Sequence, residues 1–276
     1  MCIKRCLGLA VLSCLLISAR VCADTQHIQF GIFPYVSPGQ LVKFHHPLRS
    51  YLEETLGIKV SLVTAPNFKE FIKRTQQGKY DIIMTAPHLG KLAEVQGYRR
   101  IAHSMHEVQG IYLAHKDSGI KTLPDLRGKV ITLVGRAAII TQMVEYQLKS
   151  LGMQEGKDYT FRVTRTHNNA MYAPLRGESD ASVTGSLLFR KLGEKERENV
   201  RVIGKTPVAP GFMVMAGNRI TEAQRQKLIE ALLGFKDIPA GKDYLKTTGL
   251  VRFERITDQE MQDLEPYIQI FLKPKQ

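Results

Sequence analysis

The chain has 276 residues, of which 43% are hydrophobic and 24% are charged, with 39 Lys and Arg against 26 Asp and Glu. This length and composition suit one large domain or two lobes, and they exclude a disordered chain, a collagen and a coiled coil. All four cysteines lie in the first 22 residues. The rest of the chain therefore cannot hold a disulfide scaffold, a zinc site with cysteine ligands or a catalytic thiol.

Residues 1–23 have the three-part pattern of a secretory signal peptide. A short basic start precedes the apolar run 7–17, and small residues stand before a cleavage point after Ala23. A run of this length is too short to cross a bilayer as a permanent anchor. We expect cleavage after Ala23 and export of a cysteine-free protein to the periplasm. Acylation of Cys14 or Cys22, as in a lipoprotein, is the alternative.

Removal of residues 1–23 takes away three positive charges and no negative ones, which leaves a net charge of +10. A basic surface attracts nucleic acids, anionic lipids or small anions, although it can also simply keep a protein soluble. Export argues against a nucleic-acid partner, and the basic residues are scattered rather than gathered into one tract. The eight histidines show no HExxH spacing, so no metal site is predicted.

The exported part opens with alternating strand and helix patterns. Residues 27–33 and 58–62 alternate like strands, and residues 80–84 form a third strand. Apolar residues recur at helical spacing in 41–56 and in 68–77, and the first of these helices is followed by a glycine suited to a helix C-cap. Two βα units of about thirty residues are therefore predicted in succession.

A second series of elements follows Tyr112. A helical turn at 123–129 leads into a strand at 130–134 and a long helix at about 137–151. Further strands are predicted at 159–163, 181–184, 200–203 and 212–216. Further helices are predicted at 168–175, 186–192, 222–233, 242–247 and 258–271. This alternation predicts an α/β fold with largely parallel sheets, and the absence of a fixed period excludes a solenoid.

Four segments resemble one known family. They are Gly-Ile-Phe-Pro-Tyr at 31–35, a Gly-x-x-Asp strand with its following loop at 78–87, Leu-Pro-Asp-Leu-Arg-Gly-Lys at 123–129, and Thr-His-Asn-Asn-Ala with Gly-Glu-Ser-Asp-Ala within 166–181. Their order and spacing resemble the phosphate/phosphite/phosphonate-type substrate-binding proteins of ABC transporters. The likeness runs through most of the exported chain, although no single motif in it is specific.

The resemblance implies a two-lobed venus-flytrap fold of the type II periplasmic binding protein class. Two mixed, mostly parallel sheets flanked by helices would be joined by two crossover strands, for which 110–116 and 203–208 are the candidates. The first lobe would comprise residues 24–114 and 205–276, and the second lobe would comprise residues 115–204. A ligand would bind in the cleft between the lobes.

The implied function is capture of a small anionic ligand and its delivery to the membrane permease of an ABC transporter, by a monomer without a cofactor. The alternative is a periplasmic sensing module that signals to a membrane histidine kinase. No nucleophile–base pair, Gly-x-Ser-x-Gly elbow or phosphate loop is found, so an enzyme is not predicted. Since the same architecture also serves enzymes, this prediction depends on the site and not on the fold.

The candidate site residues follow strand ends, where helix N-termini present free N–H groups. Three loops meet this condition, at 34–40, 85–90 and 135–141. The full candidate set, which includes matches to the family motifs, is Tyr35, Thr85, Ala86, Pro87, Tyr112, Arg136, Ala137, Ala138, Thr141, His167 and Asn168. Structural roles are the alternatives for several of them: a surface aromatic at Tyr35, a tight turn at 85–87 with Thr85 as a helix N-cap, a solvated side chain at Arg136, hinge packing at Tyr112 and a structural histidine at His167.

One departure from the family pattern bears on the ligand. The family has a Ser-Thr-Ser-Gly run at the start of the long helix in the second lobe, where this chain has Ala137, Ala138, Ile139 and Ile140. The lost hydroxyls would otherwise donate to phosphonate oxygens. We therefore expect weak binding of phosphate and simple phosphonates, and stronger binding of a carboxylate or substituted organic anion. Arg136 would be its forked partner.

Overall fold

The fold is described from a computed structural model of the protein, which covers residues 27–164 and 166–272. The predicted signal peptide and its cleavage point lie outside the described residues. Within those ranges, no helix is both long and apolar enough to cross a membrane.

Eleven strands and eleven α-helices alternate along the described chain. The strands are β1 (Ile28–Ile32), β2 (Val60–Val63), β3 (Ile82–Thr85), β4 (Arg99–Ser104), β5 (Gly110–His115), β6 (Lys129–Val134), β7 (Tyr159–Thr164), β8 (Ala181–Gly185), β9 (Val200–Lys205), β10 (Met213–Ala216) and β11 (Phe253–Glu254). The helices are α1 (Pro38–Leu56), α2 (Phe68–Gln76), α3 (Pro87–Val95), α4 (Ile139–Ser150), α5 (His167–Tyr172), α6 (Ser186–Phe189), α7 (Glu194–Arg197), α8 (Glu222–Gly234), α9 (Pro239–Thr248), α10 (Asp258–Asp263) and α11 (Gln269–Leu272). Short 3₁₀ turns lie at Leu123–Leu126, Phe235–Asp237 and Glu265–Ile268.

The strands form two separate mixed sheets. The first has the order β11-β4-β10-β3-β1-β2, and the second has the order β7-β6-β8-β5-β9. β1 runs parallel to β2 and β3, whereas β10 inserts antiparallel between β3 and β4. In the second sheet β6 runs parallel to β7 and β8, and β5 lies antiparallel between β8 and β9. The α/β architecture with two mixed sheets flanked by helices is therefore confirmed.

Local sequence explains where several helices begin and end. The side chain of Asn67 caps α2 by accepting from the backbone N–H of Glu70. α1 ends at Gly57, as predicted, because its backbone adopts the left-handed conformation with φ +67° and glycine has no Cβ to oppose it. Buried Leu48 and Leu52 of α1 pack into the hydrophobic core of this part of the molecule.

The chain passes between the two sheets twice, at 105–109 and at 206–212. These two crossover segments are bridged by reciprocal backbone hydrogen bonds between Val108 and Ala209, at 3.0 and 2.9 Å. The predicted crossover ranges 110–116 and 203–208 overlap β5 and β9, which are paired inside the second sheet. Along the chain, each crossover segment thus lies nearer to a strand of the first sheet, β4 or β10, than the sequence pattern indicated.

Three helical segments differ from the predicted elements, of which the first, predicted at 186–192, ends early at Phe189 of α6. The predicted helix 258–271 is divided into α10, a 3₁₀ turn and α11, because Pro266 cannot donate a hydrogen bond and its ring opposes a continuous helix. Residues 87–90, predicted as a loop, are the first turn of α3. All four are buried, so they lack the alternation of buried and exposed positions by which an amphipathic helix is recognised.

Candidate functional site

Four helices begin at the carboxyl ends of parallel strands, two in each sheet, and these ends are called the facing edges. α1 and α3 follow β1 and β3 of the first sheet, and α4 and α5 follow β6 and β7 of the second. Helix N-termini carry N–H groups without partners inside the helix, which suits them to bind anions. His88 in α3 joins two of these starts, because its Nε2 lies 2.9 Å from the carbonyl oxygen of Ala137 just before α4.

Aromatic side chains cluster at the carboxyl end of β1. Phe33 stacks on Tyr35 with ring centroids 5.0 Å apart, and Phe212 lies 4.8 Å from Phe33 and 5.1 Å from Tyr35. Phe68 and His106 complete this aromatic cluster, at 5.8 Å from Phe33 and 4.7 Å from Phe212. Because Tyr35, Phe68 and Phe212 are only half-buried, the cluster offers apolar surface to the organic part of a ligand.

Tyr35 is held in place by a buried histidine. Its hydroxyl lies 2.8 Å from Nε2 of His45, and Nδ1 of His45 lies 2.9 Å from the hydroxyl of Tyr244. Burial lowers the pKa of His45 to about 4, so the ring is neutral at neutral pH. Burial also raises the pKa values of Tyr35 and Tyr244, so both phenols keep their protons.

Thr85, Ala86 and Pro87 connect β3 to α3. Thr85 ends β3, and the residue at the N-cap is Ala86, so the alternative interpretation of Thr85 as the cap is wrong. The Thr85 hydroxyl is buried without a hydrogen-bond partner among the described residues. Pro87 takes the first helical position, where a missing N–H costs nothing. A buried hydroxyl without a partner is uncommon in folded proteins and calls for an explanation.

The start of α4 combines bare backbone with buried apolar side chains. Ala138 is the N-cap and supplies no side-chain cap, while Ile139 and Ile140 are buried. The side chain of Ile140 lies close to Gly110 and Gly185, because a Cβ added at either glycine would meet it at 3.1 or 3.2 Å. The isoleucine therefore fills the space that small residues on β5 and β8 leave open.

The side chains of Thr141 and Arg136 both form hydrogen bonds with other groups of the protein. The hydroxyl of Thr141 donates to the carbonyl of Val134 at 2.7 Å. One guanidinium nitrogen of Arg136 lies 2.7 Å from carboxylate oxygens of both Glu145 and Glu155, and the other nitrogen also contacts Glu155. Hydrogen bonds to Glu155 and Glu145 raise the pKa of Arg136. An anion that bound Arg136 would have to displace these two carboxylates.

His167 and Asn168 form the start of α5, which Thr166 caps by accepting from the N–H of Asn169. Asn168 is exposed and His167 is half-buried, but Nδ1 of His167 is buried without a hydrogen-bond partner among the described residues. Burial lowers the pKa of His167 to about 4. The Thr184 hydroxyl lies 3.4 Å from the carbonyl of His167, which places this helix start beside the end of β8.

Tyr112 belongs to the core of the second sheet rather than to the facing edges. Its side chain is fully buried, and its hydroxyl donates to Oε1 of Gln147 in α4 at 2.9 Å. The geometry of Tyr112 supports a packing role, so we remove this residue from the set of candidate ligand contacts.

Sequence reasoning missed His88, His106 and Phe212. His88 stood inside a segment predicted as a loop, and the other two lie in the crossover segments, which have no periodicity. Burial lowers the pKa values of His88 and His106 to about 4. The sequence offers one signal for these residues, a histidine next to the end of a strand. The same signal occurs at buried histidines that make no contact between lobes.

A cavity of about 830 Å³ lies beside the crossover segments. Its walls are formed by residues 103–107, residues 207–211, the region of α10 and the 3₁₀ turn after it, and Tyr146 of α4. None of the predicted ligand residues lines it. In the described ranges no group of three His, Cys, Asp or Glu side chains is arranged to hold a metal ion.

Two sheets joined by two short crossover segments, with helix N-termini and aromatic side chains at the facing edges, define the class of two-lobed ligand-binding proteins. Residues 30–261 match the family described as the phosphonate periplasmic substrate-binding protein of ABC transporters. The chain belongs to this family. Its members are substrate-binding proteins of transport systems, which places them in the periplasm with a small ligand and a membrane permease as partners.

Individual relatives are distant in sequence and close in fold. The phosphonates-binding periplasmic protein of Escherichia coli (strain K12) is 22% identical over 268 residues, which cover 91% of this chain and 78% of that protein. PhnD1 of Prochlorococcus marinus (MIT 9301), solved in complex with methylphosphonate, has a TM-score of 0.75 at 17% identity and covers 90% of this chain and 99% of its own. A Xanthomonas citri protein solved with bound ATP has a TM-score of 0.77 at 15% identity, with coverage of 88% and 97%.

Proposed function

We propose that the protein captures a small organic anion between its two lobes and delivers it to an ABC transporter, and that its anion site favours one negative charge on an apolar body. The observation that carries the proposal is the start of α4. There, no side-chain hydroxyl caps the helix, so its first backbone N–H groups can bind a ligand. Two buried isoleucines follow the N-cap.

The charge of the ligand would be met by helix N-termini rather than by a free cation. A helix start carries about half a positive charge, which suits a singly charged group better than a dianion. Each missing hydroxyl would have added roughly 1.5–3 kcal/mol when bonded to a charged oxygen. Arg136 is already paired with two glutamates, so we assign it to stabilising the loop before α4 instead of to binding the anion.

The apolar body of the ligand would rest on the aromatic cluster. Tyr35 and Phe212 are half-buried in the free protein, so their remaining surface can be removed from water when a ligand binds, at about 25 cal/mol per Å² of apolar area. Thr85 and His167 each bring a buried polar atom without a partner to the strand ends. Because these two protein atoms are already removed from water, ligand groups that reached them would add hydrogen bonds without further desolvation of the protein.

Calorimetry on residues 24–276 tests the proposal with phosphate, phosphite, methylphosphonate, methanesulfonate, acetate and benzoate. We expect benzoate to bind more tightly than acetate, and the phosphorus oxyanions to bind weakly. Introduction of the family hydroxyls by Ala137→Ser, Ala138→Thr and Ile139→Ser should raise the affinity for methylphosphonate at least tenfold.

The matched control is Ile238→Thr, which adds a hydroxyl at the N-cap of α9, another helix without a side-chain cap. It should leave all affinities unchanged. Tight methylphosphonate binding by the unmodified protein, with no gain from the three hydroxyls, would refute the altered anion site and leave the transport role in place.

A further inference from the structure

The chain of hydrogen bonds from Tyr244 through His45 to Tyr35 has a direction that can be worked out from its buried end. Tyr244 is 2% exposed, and a buried phenol must donate its proton to an acceptor. In the described part of the chain, the hydrogen-bond partner of that hydroxyl is Nδ1 of His45, 2.9 Å away. Nδ1 therefore accepts.

The proton of His45 then lies on its other nitrogen. The side chain is fully buried and its lowered pKa keeps it neutral, so the ring carries one N–H. With Nδ1 as acceptor, this N–H is on Nε2 and donates to the hydroxyl oxygen of Tyr35 at 2.8 Å. The opposite direction would leave the Tyr244 proton buried without an acceptor, which is the costly arrangement.

Tyr35 is the open end of the chain. Its oxygen already accepts from His45, so its own proton remains to be donated elsewhere. Unlike His45 and Tyr244, Tyr35 is only half-buried, and its ring belongs to the aromatic cluster at the carboxyl end of β1. Hydrogen bonds aligned in one direction also polarise each other, which strengthens the donor at the end.

We propose that His45 and Tyr244 are positioning residues that make Tyr35 an obligatory hydrogen-bond donor to an acceptor oxygen of the bound ligand. The proposal rests on the proposed function, since it assumes that the ligand lies against Tyr35. It adds a reason for selecting anions: a protonated amine, which can only donate, cannot accept the remaining proton of this hydroxyl.

The direction of the chain can be measured without any ligand. Long-range ¹H–¹⁵N spectra of residues 24–276 report the tautomer of each histidine, and His45→Gln assigns the signals of His45. We expect the Nε2–H tautomer in the unmodified protein. In Tyr244→Phe the donor to Nδ1 is gone, and a shift of the population toward the Nδ1–H tautomer is expected. An Nδ1–H tautomer in the unmodified protein would overturn the proposal.

Affinity for benzoate and methylphosphonate tests the consequence. Tyr244→Phe should weaken binding of the probe that binds better by roughly two- to tenfold, and it should have no effect in a Tyr35→Phe background. Tyr98→Phe is the matched control, because Tyr98 is also a buried, hydrogen-bonded tyrosine of the first lobe. Equal losses from Tyr244→Phe with and without Tyr35 would show that Tyr244 acts through general stability, against the proposal. If neither probe binds, the proposed function fails, and the tautomer alone decides the direction of the chain.

Discussion

The side chain of His88 connects the start of α3 with the start of α4. Its Nε2 contacts a main-chain carbonyl of the other lobe, its ring lies 5.7 Å from Phe271 of α11, and it is fully buried. A main-chain acceptor cannot turn away as a side chain can. This contact should therefore stabilise one particular arrangement of the lobes, independently of the ligand.

Replacement of His88 by Ala should shift the ligand-free protein toward an open form and weaken ligand binding several-fold, because a hydrogen bond of about 0.5–1.5 kcal/mol is lost. Small-angle scattering and calorimetry measure the two effects. His88→Gln, which keeps an N–H donor, should recover part of the affinity. His46→Ala, at an exposed histidine of α1, is the control. An unchanged radius and affinity in His88→Ala would show that this contact does not stabilise the arrangement of the lobes.

The position of a site residue relative to strands and helices could be predicted from the sequence, whereas its contacts with distant residues could not. Tyr35 could be predicted to lie near the facing edges, because it follows a strand and precedes a helix. The partners of Arg136 could not, since Glu145 and Glu155 approach it from α4 and from the loop after α4. The buried pairing of His45 with Tyr244 joins residues almost two hundred positions apart, and one sequence contains no record of such a pairing.

At the scale of elements, the two crossover segments pack closely at Gly211. A Cβ added there would lie 2.1 Å from the carbonyl oxygen of Ser104 and 2.5 Å from Nδ1 of His106. Backbone atoms cannot move aside as a flexible side chain can. The glycine thus lets one crossover segment pass directly against the end of β4, close to the contact between His106 and Phe212 in the aromatic cluster.

Gly211→Ala should lower the free energy of unfolding by about 1–3 kcal/mol, as expected for an overpacked contact, and should weaken ligand binding because the crossover segment is displaced. Urea unfolding and calorimetry provide the measurements. Gly234→Ala is the control, since a Cβ there meets nothing within 4 Å and its φ is −80°. If both variants retain full stability, the close packing at Gly211 is not a constraint.

Helices and strands with clear periodicity could be predicted, and those shaped by neighbours could not. α1 and α2 match their patterns because each has an exposed face. α3 was missed because its first turn is buried on all sides between the 3₁₀ turn before α11 and the start of α4. The exact extent of β5 and β9 was missed because crossover segments and strands share an extended backbone and the same apolar residues.

For the molecule as a whole, ligand binding should bring the lobes together. Two lobes joined by two short segments can rotate about them, and a ligand favours the closed form only through contacts with both lobes. Small-angle scattering of residues 24–276 should show a smaller radius with saturating ligand than without it in the His88→Ala variant, which starts more open. An unchanged radius in that variant at saturation would contradict movement of the lobes.

Stability of the whole molecule should fall as the pH decreases from about 6.5 to about 4. His45, His88 and His106 have pKa values near 4 when folded, because burial disfavours their charged forms, whereas the unfolded chain titrates near 6.5. Between these values the unfolded state binds more protons, so each histidine contributes a slope of up to roughly 1.4 kcal/mol per pH unit.

Urea unfolding at intervals between pH 7 and pH 4.5 measures this slope. His88→Leu should reduce the dependence of the free energy of unfolding on pH by the contribution of one histidine, up to roughly 1.4 kcal/mol per pH unit. His46→Ala serves as the control for loss of a histidine. A slope that is identical in His88→Leu and in the unmodified protein would show that His88 does not stay neutral.

The antiparallel insertion of β10 between β3 and β4 has a consequence for the order of folding. The second sheet is built entirely from residues 110–205, so it can form before the chain beyond residue 205 takes part in folding. The first sheet cannot close at that time, because β4 pairs with Met213 and Val214 of β10 rather than with β3. Long-range pairing of this kind is slow, and the exposed edges of β3 and β4 must await the later part of the chain. Completion of the first sheet is therefore expected to be the last and slowest step of folding.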